Sequence, residues 1–550
     1  MALPLRASPV LPHRALFRLL STVVAACLAT GLPSAGPAFA GGDPSIDALR
    51  RRLEDDDPAA RASAVRRLAG ALDEPSLRLV IHTLSDRHPY VRRAAAGVLG
   101  AIVDLPTRTR LLKEVPAWKE ALPRAEMAVA FSAWADRDGR TGLLRALGDR
   151  EPSVRTTAAE ALGDDPDDSA ARALLLATTD PDGLVRATAL DALLRTQGLA
   201  THGEIGGSGA GDGRAGGGGG GRGRGGGPGP AATGTATRLV IPWKALSKDK
   251  DERVRLSALE GSVAMGGETA LFAVEHGLGD AVWSVRLVAA ELSGTVRDKR
   301  MLAPLIEVLR DPRDRVAQAA GRSLVKLTGI PFDADPVRWH SWLEGDGAAF
   351  DPSTVEPRKT SAFDPGGKTF SPVKFLDLPL ASSHVTFVLD ASGSMSAADS
   401  AGVSRWDRVR AELSRVLETL GTSAEGNVVV FSDDAVSLFP SAVRFSPAVR
   451  EKIAKTLEGR PPAGKTALFD GIAKALDDPV VDSIVVLSDG APSAGAHFTK
   501  TDLREELRRT NRWRHARIDV ISVGTDEVAK RWRSLLKDIA EDHQGRCIGP

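Results

Sequence analysis

The feature that most constrains this 550-residue chain is a spacing. An aspartate is followed by valine five residues on, arginine six on, alanine nine on and, in most instances, leucine thirteen on. The pattern runs through Asp86-Val91-Arg92-Ala95-Leu99, Asp149-Val154-Arg155-Ala158-Leu162 and Asp180-Val185-Arg186-Ala189-Leu193. It continues at Asp249-Val254-Arg255-Ala258, Asp280-Val285-Arg286-Ala289 and Asp311-Val316-Ala320-Leu324. Near the start Asp55, Arg61, Ala64 and Leu68 fit, with Ala60 in the place of valine. The arginine interval is 31 residues from Arg61 to Arg92, from Arg155 to Arg186 and from Arg255 to Arg286, and Arg124 marks a degenerate unit 31 before Arg155. Eight units are expected from this spacing. A fixed period in the thirties specifies a solenoid, because one unit cannot bury its apolar face alone. Valine, alanine and leucine at intervals of four share one helical face, and the small alanine lets neighbouring helices approach. Asp-Pro at 57–58, 180–181 and 311–312 marks the turn before such a helix.

These units resemble HEAT repeats of the short bacterial type. The resemblance implies that the aspartate and the arginine six later form a ladder of hydrogen bonds between stacked repeats, at Asp86/Arg92, Asp149/Arg155 and Asp180/Arg186. A basic stripe for binding is the rival reading, and an aspartate matched to each arginine favours the ladder. The formal net charge is +1, from 72 basic and 71 acidic residues, so no bulk polyanion is expected as partner.

The array is interrupted. From about Glu204 to Thr237 the chain is Gly-rich, unbroken from Gly216 to Gly221, with Arg214, Arg222 and Arg224 among the glycines. Such a segment cannot bury apolar surface and is expected to be a disordered linker. Arg186 and Arg255 are 69 residues apart, against 62 for two periods. One unit is therefore expected to be replaced by the linker, dividing the array into blocks at 41–203 and 238–345. Trp339 and Trp342 are expected to cap the second block, and 346–375 reads as a connector.

Residues 376–550 follow a different rule. The apolar run Val385-Thr-Phe-Val-Leu389 reads as a buried strand and leads directly into Asp390-x-Ser392-x-Ser394. Gly393 lets that loop turn sharply. Open α/β sheets place ligands at the carboxyl ends of their strands, and oxygen ligands with little charge suit a hard cation such as Mg²⁺. Helical patterns over 405–420, 447–457, 467–476, 501–510 and 528–541 alternate with strand patterns over 427–431, 435–439, 483–487 and 518–523. Alternation of this kind predicts a doubly wound α/β domain, with Phe375 to Leu380 packed against it and Arg546 to Ile548 as a last edge strand.

The loop at Asp390 resembles the first motif of the metal-ion-dependent adhesion site of von Willebrand factor type A domains. Two further pieces of that site fit Gly464-Lys465-Thr466 and Ser488-Asp489-Gly490. The resemblance implies a Rossmann-like domain in which Ser392, Ser394 and Thr466 bind the ion directly or nearly so. Asp390 and Asp489 would hold it largely through water. It implies Mg²⁺, or Mn²⁺ or Ca²⁺, with an open position completed by an acidic side chain of a protein partner. Two alternatives use the same residues. Gly459 to Thr466 matches a P-loop pattern ending in Gly464-Lys465-Thr466, although Pro461 and Pro462 lack the N–H groups of a phosphate cradle and a helical pattern precedes it. The other alternative is a structural scaffold with a vestigial metal site. Asp433 and Asp434 read as turn residues. His497, His515 and His543 have no partner at metal spacing and read as packing residues. No nucleophile–base pattern stands out, so no enzymatic activity is expected.

At the N-terminus Arg6, Arg14 and Arg18 precede an apolar run from Leu19 to Leu32, then Ala38-Phe39-Ala40. This predicts a signal peptide, 1–40, cleaved after Ala40, and a periplasmic or extracellular protein. The alternatives are an uncleaved anchor and a lipoprotein lipidated at Cys27 in Val24-Ala25-Ala26-Cys27. Cleavage leaves Cys547 as the sole cysteine, read as a buried strand residue, and no intrachain disulfide. The expectation for the whole is an exported, non-enzymatic protein-binding scaffold that uses the solenoid's concave surface and the metal site.

Overall fold

The computed structural model describes residues 45–199, 239–354, 373–398, 402–489, 491–524 and 527–549. The expected signal peptide with Cys27, the Gly-rich segment, residues 355–372 of the connector and Gly490 lie outside them. The chain divides into two compact units, one ending at Asp149 and the other beginning at Arg150.

In the first unit, capped helices follow the repeat. Asp57 accepts from the N–H of Ala59 at the start of Pro58–Leu68, where the proline at the first position needs no hydrogen bond. Val91, Ala95 and Leu99 of Pro89–Gly100 are fully buried, each large side chain contributing about 1.5–3 kcal/mol. Gly100 permits close packing on Ala121–Trp134, since a Cβ there would meet that of Ala133 at 2.7 Å. The ladder is more specific than expected. The arginines reach back to the carbonyl of the residue six before them, an aspartate except for Trp118 before Arg124, and forward to a carboxylate of the next repeat. Arg61 donates to the Asp55 carbonyl and, through Nε and Nη2, to Asp86 at 2.9 and 2.8 Å. Arg124 forms the same bidentate bond with Asp149. Arg92 donates to the Asp86 carbonyl, but its forward partner is Glu126, because Trp118 stands where the next aspartate would be, six before Arg124.

In the second unit the rungs are Arg155–Asp180, Arg186–Asp249, Arg255–Asp280 and Arg286–Asp311. The second of these overturns one expectation. Arg186 reaches Asp249 across 63 residues with the bidentate geometry that the others achieve across 25. Helix Gly183–Thr196 therefore stacks directly on Glu252–Met265. No repeat is replaced. The extra residues fall between two consecutive rungs, and the short helix Trp243–Leu246 precedes the second. The repeats end at Asp314–Thr328 and Pro336–Glu344, where Trp339 is fully buried between Phe332 and Trp342, with ring centroids 5.1 and 5.6 Å away.

The α/β part has strands β1 (Lys374–Phe375), β2 (Leu378–Pro379), β3 (His384–Asp390), β4 (Glu425–Phe431), β5 (Ala435–Ser437), β6 (Val443–Arg444), β7 (Ser483–Ser488), β8 (Arg517–Ser522) and β9 (Cys547–Ile548). The main sheet has the order β5-β4-β3-β7-β8-β9, with β6 also on β4. The pairings β4–β3–β7–β8–β9 are parallel, and β5 and β6 are antiparallel to β4. Helices cover both faces, which is why β3 and β7 are apolar at successive positions. Phe387 and Leu389 pack with Val409, Leu413 and Leu417 of Arg405–Leu420 and with Ile453 and Leu457 of Pro447–Glu458. Val388, Ile484 and Val486 pack with residues of Leu468–Leu476, Lys500–Asn511 and Glu527–Asp542. The β1–β2 ribbon inserts Phe375 edge-on against Phe387, centroids 5.1 Å apart. Cys547 is half-buried on the edge strand rather than buried.

This sheet rests on the repeats by the amino ends of its strands. Just before β3, the Ser383 N–H and Oγ donate to Asp314 Oδ2 at 2.9 and 2.8 Å. Before β7, Trp283 Nε1 donates to the Pro479 carbonyl (3.0 Å) and Arg313 to that of Val480 (2.6 Å). Arg315, buried, donates to the carbonyls of Asp482 and His515, before β7 and β8. Arg512 pairs with Asp191 and Glu260, and Trp513 Nε1 donates to Ser257 Oγ. Among the described residues no helix is long and apolar enough to cross a membrane.

Candidate functional site

The carboxyl ends of β3 and β7, at the opposite edge of the sheet, gather the residues singled out in the sequence. Asp390 closes β3, fully buried, with both carboxylate oxygens engaged. Its Oδ1 accepts from the Ser392 N–H (2.9 Å) and its Oδ2 from Ser488 Oγ (2.6 Å). Burial pushes the Asp390 carboxyl up to about 6, and nearby Asp489 adds to this, although the Ser392 and Ser488 hydrogen bonds oppose it. Beyond Asp390 the chain enters a short 3₁₀ turn, Gly393–Ser396, held down by buried Met395. That turn sets Ser392 Oγ and Ser394 Oγ 3.0 Å apart, the first buried and the second exposed.

Two backbone bonds bring the threonine loop to this turn: Gly393 N–H to the Gly464 carbonyl (3.1 Å) and Ala463 N–H to the Ala391 carbonyl (2.8 Å). Gly464 has φ +83°, a conformation that favours glycine, and a Cβ there would collide with the Asp433 carboxylate. Thr466 is buried, and its N–H donates to Ser493 Oγ (3.1 Å). Asp489, also buried, follows Ser488 at the end of β7. The structure thus brings the three loops bearing Asp390, Ser392, Ser394, Thr466 and Asp489 together. Asp433 belongs to its turn and accepts from the Lys465 N–H (3.1 Å), while Asp434 pairs with Arg460 at 3.7 Å. His497 is buried elsewhere, between Phe469 and Asp502.

Two residues of the site, Ser493 and Arg405, were not anticipated, and a third, Ser488, belonged to the Ser-Asp-Gly motif without a role of its own. Ser488 and Ser493 orient the ligand loops through the bonds above. Arg405 donates through Nη1 to Asp489 Oδ2 at 2.9 Å. It is the first residue of Arg405–Leu420, whose N-cap Ser404 exchanges hydrogen bonds with Asp407. That Ser-x-x-Asp signature locates a helix start but carries no hint that the next arginine faces the site.

The donor set fits a hard cation. Among the described residues no group of three or more His, Cys, Asp or Glu side chains is placed to hold a metal. What the loops assemble is two carboxylates and three hydroxyls, all oxygen, as Mg²⁺ chemistry prefers. The phosphate-loop alternative lacks its context: Gly459 follows the helix Pro447–Glu458 rather than a strand, and Lys465 is exposed.

Comparison with known proteins agrees with this architecture. Residues 383–547 match the family model of the von Willebrand factor type A domain, and residues 46–117 and 119–194 match that of HEAT repeats. Domains of these two families are in general non-enzymatic interaction domains, and together they suggest a protein-interaction scaffold. Among solved structures, YibA of Escherichia coli is 18% identical over 58% of this chain and 99% of its own, with a TM-score of 0.31. A von Willebrand factor type A protein from Catenulispora acidiphila is 22% identical over 32% of this chain and 40% of its own, with a TM-score of 0.25. Proximal thread matrix protein 1 of the mussel byssus is 23% identical over 30% and 40%, with a TM-score of 0.23. No curated protein matches the chain.

Proposed function

The chain joins HEAT repeats to a von Willebrand factor type A domain, and from that premise we propose that it is an exported, non-catalytic scaffold whose α/β domain holds a divalent cation and, through it, an acidic group of a protein partner. One observation carries the reading: the loops of Asp390, Ser392, Ser394, Thr466 and Asp489 converge at the carboxyl ends of β3 and β7. Ser392, Ser394 and Thr466 would hold the ion, and Asp390 and Asp489 would orient its water. Mg²⁺ suits the set best, with Mn²⁺ or Ca²⁺ of the same chemistry. The ion supplies an electrophilic position for a carboxylate, since neutral hydroxyls leave most of its charge uncompensated.

The repeats would contribute a second interaction surface. The stretch carrying Asp191, Ser257, Glu260, Trp283 and Arg315 is covered by the chain's own α/β domain, so the repeats of the first unit are the better candidates. Export rests on Ala38-Phe39-Ala40, and a mature N-terminus at Gly41 is the expected sequencing result. A start at a lipidated Cys27 would put the protein on a membrane surface instead.

Thermal unfolding of the mature chain tests the metal reading. Mg²⁺ or Mn²⁺ should raise the melting temperature by mass action, by the equivalent of about 2.7 kcal/mol at one hundred times Kd. Asp390→Asn should abolish the shift while keeping partners for Ser392 and Ser488. Thr466→Ala should weaken capture of an acidic partner more than it weakens ion binding. Lys465→Ala should change neither. Absence of any shift in the unaltered chain would favour the vestigial-site alternative, and ATP binding lost in Lys465→Ala would restore the phosphate-loop reading.

A further inference from the structure

Arg405 is not a loose surface cation. Its backbone N–H donates to the Ala397 carbonyl (3.0 Å), and Ala398 bridges Ser404, so the start of its helix is tied to the loop that carries Ser392 and Ser394. The guanidinium is mostly buried, its side chain 16% exposed, and Asp489 is 6% exposed beside it. Buried carboxylates that share a site need a compensating positive charge. Arg405 supplies one to Asp489 from within the chain. A divalent ion entering between the same loops would face that guanidinium at close range and would compete for the same carboxylate.

We infer that Arg405 is a built-in stand-in for the metal: it occupies Asp489 when the ion is absent, and the ion binds by taking Asp489 from it. This rests on the metal reading above. The consequence is a site of deliberately moderate affinity, in which ion binding and release of Arg405 are one event.

The test uses the full mature chain and Mn²⁺ alone as probe, followed by calorimetry and by the spin-resonance signal of the bound ion. Arg405→Gln and Arg405→Met both remove the charge, and the second retains the packing of the stem. Both should bind Mn²⁺ about tenfold or more tightly than the unaltered chain. Both should also melt lower than the unaltered chain in chelator, and Mn²⁺ should recover that loss. Arg405→Lys, which keeps the charge, should stay near the unaltered affinity. Equal or weaker binding in both neutral variants, with binding in the unaltered chain abolished by Asp390→Asn, would overturn the role of Arg405 and leave the metal site standing. Failure of every variant to bind Mn²⁺, or binding that survives Asp390→Asn, would instead remove the metal reading itself. Binding that appears only when Arg405 is neutralised would support the inference in its strongest form. If Arg405→Gln fails to fold, the comparison of Arg405→Met with Arg405→Lys decides.

Discussion

His543 is buried where Glu527–Asp542 meets the end of Lys500–Asn511, its Nδ1 3.1 Å from Asn511 Nδ2. A neutral ring accepts that hydrogen bond and a charged ring cannot. Burial pushes the histidine down from 6.5 to about 4, against the opposing pull of Asp542. Between those values the unfolded chain takes up a proton that the folded chain refuses. Stability should therefore fall as pH drops from about 6.5 to about 4, and level off below. The loss assigned to this residue is roughly 3 kcal/mol. Urea unfolding across that range should show a shallower decline for His543→Asn than for the unaltered chain; an unchanged slope would mean that the ring is hydrated. At this scale the sequence was only partly informative. Asp390, Ser392, Ser394, Thr466 and Asp489 stood out because the motif they resemble sets particular residues at particular offsets. Arg405 and Arg512 did not, because an arginine that pairs across the fold leaves no local pattern.

The repeat is the element at which pattern and structure agree best, and at which simple counting failed. Val91, Ala95 and Leu99 recur because each repeat must present the same small and large side chains to its neighbour. Counting residues between Arg186 and Arg255 could not show where the inserted chain begins and ends, since residues between two consecutive rungs add length without adding a layer. The bidentate Arg186–Asp249 rung is what fixes the stacking. Asp249→Ala should cost about 1.5–3 kcal/mol, as a lost hydrogen-bonded ion pair does. Asp280→Ala, which breaks the equivalent rung with Arg255, should cost about the same. If the two blocks were independent, Asp249→Ala would be nearly silent. For the same reason, protein cleaved once between residues 200 and 238 should elute as one species in gel filtration, not as two fragments. Arg92 shows the limit in the other direction: Glu126, a residue outside the repeat pattern, takes over when the expected aspartate is missing.

On the scale of the second unit, repeats and sheet are one body because charged groups are buried between them. Burial works against the charge on Arg512, but Asp191 and Glu260 outweigh it and hold its pKa above the ordinary value, while burial pushes the Asp191 carboxyl up. Arg512→Ala would leave the two carboxylates facing each other without a counter-charge, a loss of about 3–5 kcal/mol. Calorimetry should then resolve separate melting of the sheet and the repeats, where the unaltered unit melts in one transition. A single transition at an unchanged temperature would show that the ion cluster contributes nothing to docking. That the amino edge is fixed on the repeats while the ligand loops occupy the carboxyl edge also has a mechanical meaning. On the proposed function, tension from a partner seated at Ser392, Ser394 and Thr466 would enter β3 and β7 at one end and leave at the other through Ser383, Val480 and Asp482. The load runs lengthwise along parallel strands, so the sheet is sheared across many hydrogen bonds at once rather than peeled open one bond at a time.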